Sequence, residues 1–475
     1  MKAREPGMLA RPWLLPLALG MVGALVALAI YLCSRYSPGL VLVSVSWVTL
    51  GVAVVLVSRR LFSSLLNPLS VYFGFWCGGL ALYYLRLVDF NLMGPVGLSL
   101  VFLSMASFGV GALVASPRKG LPPPDPSGLT DPETVKFLEK TLYLVTGLAI
   151  AGVCYYWFSV DRAIGFTSAI TRPWLLDYEL NQGSLQHLGP LGRLYTFTHY
   201  IVPLSLFLMA INPGRRWLYT AFLALGILAQ LNTRRSWLYF SLLWGLYAAV
   251  IAVSLLRRAG SREIARKASR FMAGLAGSFV CLLVAYFAVT QVIFSKSFVY
   301  TWFNQSRVSS RLPGPLVDTY LYSCASFAAL EPHLERENTV SFQNTLWVPR
   351  KVAHALAPSV FAEPEANIFD YEGVYIPFWW NVSPYIRHIH ADFGIPGVAL
   401  IPFLLAFVVC WFFVRMGRSP TPPAVMFSSY MMFVLSETVI GFELLKYDAY
   451  WTILLLGAWA IGFRACRRRH RNEPA

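Results

Sequence analysis

Charged side chains are scarce in this sequence, since Asp, Glu, Lys and Arg together make up 13% of its 475 residues. Soluble domains carry about 25% charged residues, and hydrophobic residues reach 57% in this chain. That much apolar surface exceeds what a water-soluble core can hold, which excludes an ordinary soluble fold. We predict an all-α membrane protein, a bundle of about twelve transmembrane helices with a large, partly helical periplasmic loop.

The sequence also lacks the spacings that disulfide frameworks and metal sites require. Its seven cysteines are scattered, and no group of His, Cys or Asp has the ligand spacing of a zinc site. We therefore expect no metal and no cofactor. The formal charge of +16 comes from short basic clusters between apolar runs, so it indicates membrane topology and not nucleic-acid binding.

Apolar runs of membrane-spanning length recur along the chain, separated by charged or Pro-rich breaks. The first run is too long for the apolar part of a signal peptide, so we interpret it as an uncleaved helix. The predicted spans are residues 12–32, 39–57, 69–86, 95–115, 140–159, 194–212, 217–231, 236–256, 271–293, 393–414, 423–441 and 449–463.

The distribution of lysine and arginine predicts how these spans are oriented. With both termini in the cytoplasm, the cytoplasmic segments hold 24 of the 39 Lys and Arg residues, as the positive-inside rule requires. The predicted location is the bacterial inner membrane, with the long loops in the periplasm. Residues 1–293 would hold the first nine helices and a first long loop at 161–193. Residues 294–392 would form a large loop domain, and residues 393–475 would hold the last three helices and a basic tail.

The large loop is rich in aromatic residues, among them the pair Trp379 and Trp380, and has helix-like stretches near 315–332 and 345–357. Aromatic side chains at such a position either pack into the interfacial belt of the membrane or form stacking platforms for sugar rings. Both interpretations stay open at this point.

Two adjacent arginines, Arg234 and Arg235, lie in a short polar segment between two apolar runs. A charged residue at membrane depth costs ~2.5–3.5 kcal/mol, so such residues usually face a wet cavity or an anionic partner. The simpler alternative is a turn whose guanidinium groups reach lipid phosphates. We favour a site for a lipid-linked diphosphate, because arginine binds phosphate bidentately and stays charged.

A second polar cluster lies just before the tenth predicted span. His388, His390 and Asp392 are candidates for general acid or base chemistry, with a plain polar collar as the alternative. Glu437 lies inside the eleventh predicted span, where an ionisable group is a functional candidate by default and a hydrogen-bonded structural carboxyl is the alternative. We predict catalytic roles for all four residues.

The residues predicted to bind diphosphate or glycan are arginines of the outer loops and polar residues of the second cluster. Simple solvation is the alternative for any one of these arginines. The predicted set is Arg172, Arg193, Arg234, Arg235, Arg307, Arg311, Asn381, Tyr385 and Arg387.

The order of these features resembles that of the bacterial oligosaccharide repeat-unit polymerases of the Wzy type. The shared features are many spans, a first outer loop ending in Gly-Pro-Leu-Gly-Arg at 189–193, a Thr-Arg-Arg-Ser turn at 233–236, a large late outer loop, and an Asn…Asp-Phe-Gly-x-x-Gly segment at 381–397. Some of these polymerases carry an arginine followed by ten residues and a glycine. Arg172 and Gly183 have that spacing, but the arginines of the large loop do not.

The resemblance implies a membrane glycosyltransferase that polymerises polyprenyl-diphosphate-linked oligosaccharide repeats, such as those of O-antigen, and releases polyprenyl diphosphate. It implies arginines at the diphosphate, chiefly Arg234, Arg235 and Arg387, and the two histidines or Asp392 near the acceptor hydroxyl. The expected partners are the undecaprenyl-linked oligosaccharide, membrane lipids and a chain-length regulator protein.

Two other functions remain as alternatives. An O-antigen ligase would share the general layout, but such ligases tend to have His-Asn where this chain has Trp380-Asn381. A flippase or other transporter often has twelve spans, but the sequence contains no internal repeat that would mark a two-halved transporter. The large outer loop also favours an enzyme over a transporter.

Overall fold

The described part of the chain is almost entirely helical, which confirms the all-α prediction. The computed structural model describes residues 38–89, 91–117, 121–122, 124–125, 127–171, 176, 189–230, 235–261, 263, 266, 274, 314–336, 345, 347–362, 373–376, 378–380, 382–441, 444 and 446–472. The α-helices are Pro38–Phe62 (α1), Pro68–Leu85 (α2), Pro95–Ala115 (α3), Ser127–Thr130 (α4), Pro132–Ile164 (α5), Phe166–Thr171 (α6), Gly189–Gly192 (α7), Thr198–Ile211 (α8), Arg216–Ala229 (α9), Arg235–Arg258 (α10), Gly314–Arg336 (α11), Trp347–Leu356 (α12), Ile386–Arg418 (α13), Pro422–Glu437 (α14) and Tyr447–Asn472 (α15).

Shorter elements complete the described chain. Two 3-10 helices span Arg193–Phe197 and Pro213–Arg215. Two short strands, Val374–Tyr375 (β1) and Trp379–Trp380 (β2), pair antiparallel. This hairpin precedes α13 and buries the Trp380 ring.

Proline marks the first turn of several helices, because a residue at that position needs no backbone N–H donor. Four helices, α2, α3, α5 and α14, begin in this way. At α2 the preceding Asn67 adds a cap, since its side-chain oxygen accepts a hydrogen bond of 3.0 Å from the backbone N–H of Ser70. These prolines therefore indicate from the sequence where the four helices begin.

Seven helices of the described chain are long and apolar enough to cross a membrane. They span Gly39–Phe62, Pro95–Ala115, Pro132–Ile164, Arg193–Ile211, Leu238–Arg258, Ile386–Arg418 and Asp448–Arg468. Helices also occupy the predicted segments 69–86, 217–231 and 423–441, but two of these, α9 and α14, have only 14 and 16 residues. The segments 12–32 and 271–293 lie outside the described residues, apart from Gly274. The count of twelve spans stays a prediction.

The outward faces of the long helices are apolar. Only 22% of the most apolar stretch of α1 is buried inside the protein, and the same fraction holds for α15. Exposed side chains on these faces include Leu42, Val57, Leu454 and Ile461. Continuous apolar surface of this kind needs a cover other than water, which a lipid bilayer supplies.

The main helix pairs are α3 with α13, α1 with α2, and α8 with α10. We call one end of the bundle the top and the opposite end the bottom. At the top, α14 ends and four helices begin, namely α8, α10, α13 and α15. At the bottom, Ser64 before α2 lies 3.5 Å from Ser254 near the end of α10. Arginines fill the last turns of helices that end at the bottom, namely Arg59, Arg60, Arg257, Arg258, Arg415 and Arg418.

The described helices of the large loop match the two helix-like stretches expected near 315–332 and 345–357. The first of them, α11, does not stand apart from the bundle. Its Phe327 ring packs edge-on against Trp76 of α2, with 5.6 Å between ring centroids, and its buried residues belong to the same hydrophobic core as α2 and α3.

The tenth predicted span, residues 393–414, lies within a longer helix. α13 begins at Ile386, before the charged cluster, and is interrupted at Gly394. A helix can begin there because Arg387, His388 and Asp392 lie inside the protein and not in water. The helix can therefore carry these polar residues in its first two turns.

Close packing between α3 and α13 depends on Gly111, where a Cβ atom would collide with the carbonyl oxygen of Phe403. We expect Gly111→Ala to destabilise the protein by about 1–3 kcal/mol, since the two helices would have to move apart. Gly109→Ala on the same helix is the matched control, because its Cβ would meet only Phe73, at 3.8 Å. The Tm of each variant is measured by thermal unfolding in detergent, and equal Tm values for the two would contradict this packing.

Candidate substrate site

The first two turns of α13 form a short segment that is separated from the rest of the helix by a break. Gly394 has φ 61° and ψ −157°, outside the helical region, and its positive φ suits glycine. Pro396 follows and supplies no backbone N–H donor. Within a membrane, broken helices are tolerated where they are buried in protein or line a cavity.

Arg387 is the most deeply buried cation of this segment, with 1% of its surface exposed. Its Nη1 donates a hydrogen bond of 3.0 Å to Nε2 of His333, which is also buried, in α11. Because arginine has no acceptor atom, Nε2 of His333 must carry the lone pair, and the ring proton is on Nδ1. The guanidinium group is thus held in one orientation by a neutral histidine.

Asp392 lies one turn further along and is fully buried. Its Oδ2 accepts hydrogen bonds from both the backbone N–H and the hydroxyl of Thr345. The carboxylate therefore ties the segment before α12 to the start of α13. This contact favours a positioning role for Asp392.

The two histidines of the segment differ in their surroundings. His388 is buried and interacts electrostatically with both Arg387 and Asp392. It also interacts with Lys446, the residue before α15. His390 is only partly buried, and in a helix it points about 200° away from His388, so the pair cannot act as one unit.

Tyr385 precedes α13 and anchors its start. Its hydroxyl lies 3.0 Å from the Tyr72 hydroxyl and 2.7 Å from that of Ser104. Its backbone N–H donates to the carbonyl of Thr438, after α14, at 2.9 Å. These contacts join the start of α13 to α2, α3 and the end of α14.

Glu437 is the last residue of α14 and is buried, with 2% of its surface exposed. It interacts electrostatically with Tyr239 and Tyr247 of α10. Glu437 is therefore at the top of the bundle, on the side of α14 that faces α10.

The remaining predicted residues are not brought into this cluster by the described structure. Arg193 is exposed at the start of a 3-10 helix, and Arg235 is the first residue of α10. The other predicted residues lie outside the described part of the chain: Arg172, Arg234, Arg307, Arg311 and Asn381.

Two residues of this site, His333 and Thr345, were not predicted from the sequence. His333 is 54 residues from Arg387 along the chain, and only the packing of α11 brings it close. A weak signal existed, because a histidine follows Pro332 near the end of a predicted helical stretch. Nothing in the sequence around Thr345 indicates a functional site, since a single threonine in a loop belongs to no recognisable motif.

The described residues contain no group of three or more His, Cys, Asp or Glu side chains that could hold a metal ion. The cluster at the start of α13 combines a fixed guanidinium, two imidazoles and a carboxylate, a set suited to anion binding and proton transfer. No protein-family model, curated protein or solved structure matches the chain.

Proposed function

We propose that this chain is a membrane glycosyltransferase that polymerises polyprenyl-diphosphate-linked oligosaccharide repeat units at the periplasmic face of the bacterial inner membrane. The observation that carries the proposal is the buried guanidinium of Arg387, held by His333 beside the break in α13. A buried cation in a membrane helix is costly and usually marks a ligand site. A lipid-linked diphosphate is an anion that reaches such a site from the bilayer.

The proposed chemistry needs charge neutralisation more than a metal. An acceptor hydroxyl oxygen attacks the anomeric carbon of the growing chain and gives up its proton to a base, and the bond from that carbon to the diphosphate oxygen breaks. The electron pair leaves with the diphosphate, whose developing charge a guanidinium stabilises. Arg387 fits this role, and Arg234 and Arg235 are proposed to assist, since Arg235 begins α10 at the same end of the bundle.

The proposed orientation puts the top of the bundle in the periplasm. Arginines in the last turns of α1, α10 and α13 gather at the bottom, which is consistent with a cytoplasmic bottom under the positive-inside rule. Twelve spans with both termini in the cytoplasm complete the proposed topology.

Reconstitution tests the proposed function directly. The purified chain in proteoliposomes, given lipid-linked repeat units from the same cells, is expected to make polymer and to release polyprenyl diphosphate. Deletion of the gene for this chain should leave cells with single repeat units on the final acceptor. Polymer that accumulates on the carrier lipid would indicate a ligase instead, and lipid-linked repeats trapped in the cytoplasmic leaflet would indicate a flippase.

A further inference from the structure

A second site lies at the top of the bundle, in a cavity of about 130 Å³ between α8, α10, α14 and α15. Its walls include His199, Ser241, Trp244, Phe433, Lys446 and Trp451. A cavity needs only about 10–15 Å³ of such volume to hold one water molecule, so this one can take a polar group of several atoms.

A chain of hydrogen bonds fixes the polar wall of this cavity. The side-chain amide of the buried Gln230 donates to the carbonyls of Thr198 and Gly226, at 3.0 and 3.1 Å. Its Oε1 accepts the hydroxyl proton of Ser241 at 2.8 Å. The Ser241 oxygen in turn lies 3.2 Å from Nδ1 of His199.

The direction of these bonds determines the protonation of His199. Because Gln230 uses its N–H groups on carbonyls, its oxygen must face Ser241, and the single hydroxyl proton of Ser241 points to it. With that proton donated to Gln230, the Ser241 oxygen accepts in its contact with His199, which puts the imidazole proton on Nδ1. In the neutral ring Nε2 carries the lone pair, as in a histidine positioned for base catalysis.

The other walls are aromatic and rigid. Nε1 of Trp244 donates to the carbonyl of Met426 and the hydroxyl of Ser429, at 3.1 and 3.0 Å. The Tyr430 ring lies 5.2 Å from Trp244. Flat apolar rings beside fixed polar groups match a sugar, which has C–H faces and hydroxyl edges.

The cavity adjoins the cluster at the start of α13. Lys446 lies at the cavity, with its Nζ 5.5 Å from the centre of the Phe240 ring, and it also interacts electrostatically with His388. Lys446 is thus the link between the two sites. Asp392 is bound by Thr345 and His388 is buried beside Arg387, whereas His199 lines the cavity.

We propose that this cavity binds the acceptor sugar ring and that Nε2 of His199 takes the proton of its attacking hydroxyl. The proposal rests on the proposed function for its reaction. The hydroxyl oxygen bonds to the anomeric carbon of the donor, the carbon–oxygen bond to diphosphate breaks, and its electron pair leaves with polyprenyl diphosphate. Ser241 and Gln230 are positioning residues, because they act through His199.

His199→Asn tests the assignment while preserving the fold, because an asparagine amide can still donate to Ser241 from the place of Nδ1. We expect kcat to fall about 10²- to 10³-fold with little change in KM, and the acidic limb of the pH–rate profile to disappear. Ser241→Ala should lower kcat less and shift that limb, since the imidazole remains. Wild-type rates in His199→Asn would overturn the assignment.

Sugar binding is measured separately from turnover. The probe is the reducing oligosaccharide released by mild acid from the cells' own lipid-linked repeats, and the readout is tryptophan fluorescence of the full chain in detergent. We expect quenching in the wild type and in His199→Asn, and a loss of at least tenfold in affinity in Trp451→Ala. Equal affinity in Trp451→Ala would overturn the sugar site. Binding by a wild-type chain that makes no polymer would overturn the proposed function and leave the sugar site standing.

Discussion

Arg387→Ala is expected to lower the rate of polymer formation by at least about 100-fold, the effect of removing one donor that stabilises a developing anion. The variant also leaves Nε2 of His333 buried without its guanidinium donor, at a cost of about 1–3 kcal/mol. Rates of polymer formation in proteoliposomes, together with Tm in detergent, separate the two effects. A stable variant with a low rate is the predicted result.

Arg387→Lys and Arg415→Ala are the controls for this prediction. Lysine can still donate to His333 but cannot bind diphosphate bidentately, so its rate should be intermediate. Arg415 is on the same helix at the bottom of the bundle, exposed and stacked over Trp411 at 5.6 Å, and its replacement should leave the rate unchanged. A wild-type rate for Arg387→Ala would refute a diphosphate site at this residue.

Asp392→Ala is expected to have a similarly large effect through positioning. It removes the acceptor of two hydrogen bonds from Thr345, and hydrogen bonds to a charged group contribute about 1.5–3 kcal/mol each. The start of α13 would lose its tie to the segment before α12, and a displacement of ~1 Å in a site can cost about 100-fold in rate. Limited proteolysis near residue 345 should speed up in parallel with the loss of polymer.

Asp392→Asn distinguishes positioning from proton transfer. An amide oxygen can still accept from Thr345, so this variant should stay within about tenfold of the wild-type rate and resist proteolysis. If Asp392 were instead the base, the asparagine and alanine variants would be equally inactive. Thr345→Ala, which removes only the hydroxyl, should be intermediate in proteolysis.

The sequence predicted the helices well, because their signals are local. Long apolar runs indicate where helices lie, and prolines such as Pro68, Pro95 and Pro422 mark where they begin. The charged residues before position 393 were assigned to the loop, although α13 already begins at Ile386. Burial of Arg387 and Asp392 depends on α11 and the segment before α12, and no local pattern reports such partners.

The candidate site was only partly visible in the sequence for the same reason. Arg387, His388 and Asp392 attracted attention because polar residues cluster beside an apolar run. His199 did not, since a lone histidine in an apolar helix is ordinary. Its significance comes from Ser241 and Gln230, which are 42 and 31 positions away along the chain and meet it only when α8, α9 and α10 pack together.

The break at Gly394 has a consequence for the order of events in turnover. Its backbone angles are set by the fold, so the first turns of α13 are already turned away from the long helix before any carrier arrives. In the proposed reaction, a lipid diffusing in the plane of the bilayer would therefore meet a receptor whose backbone is already bent, and its arrival would have to expose the buried Arg387 to the diphosphate.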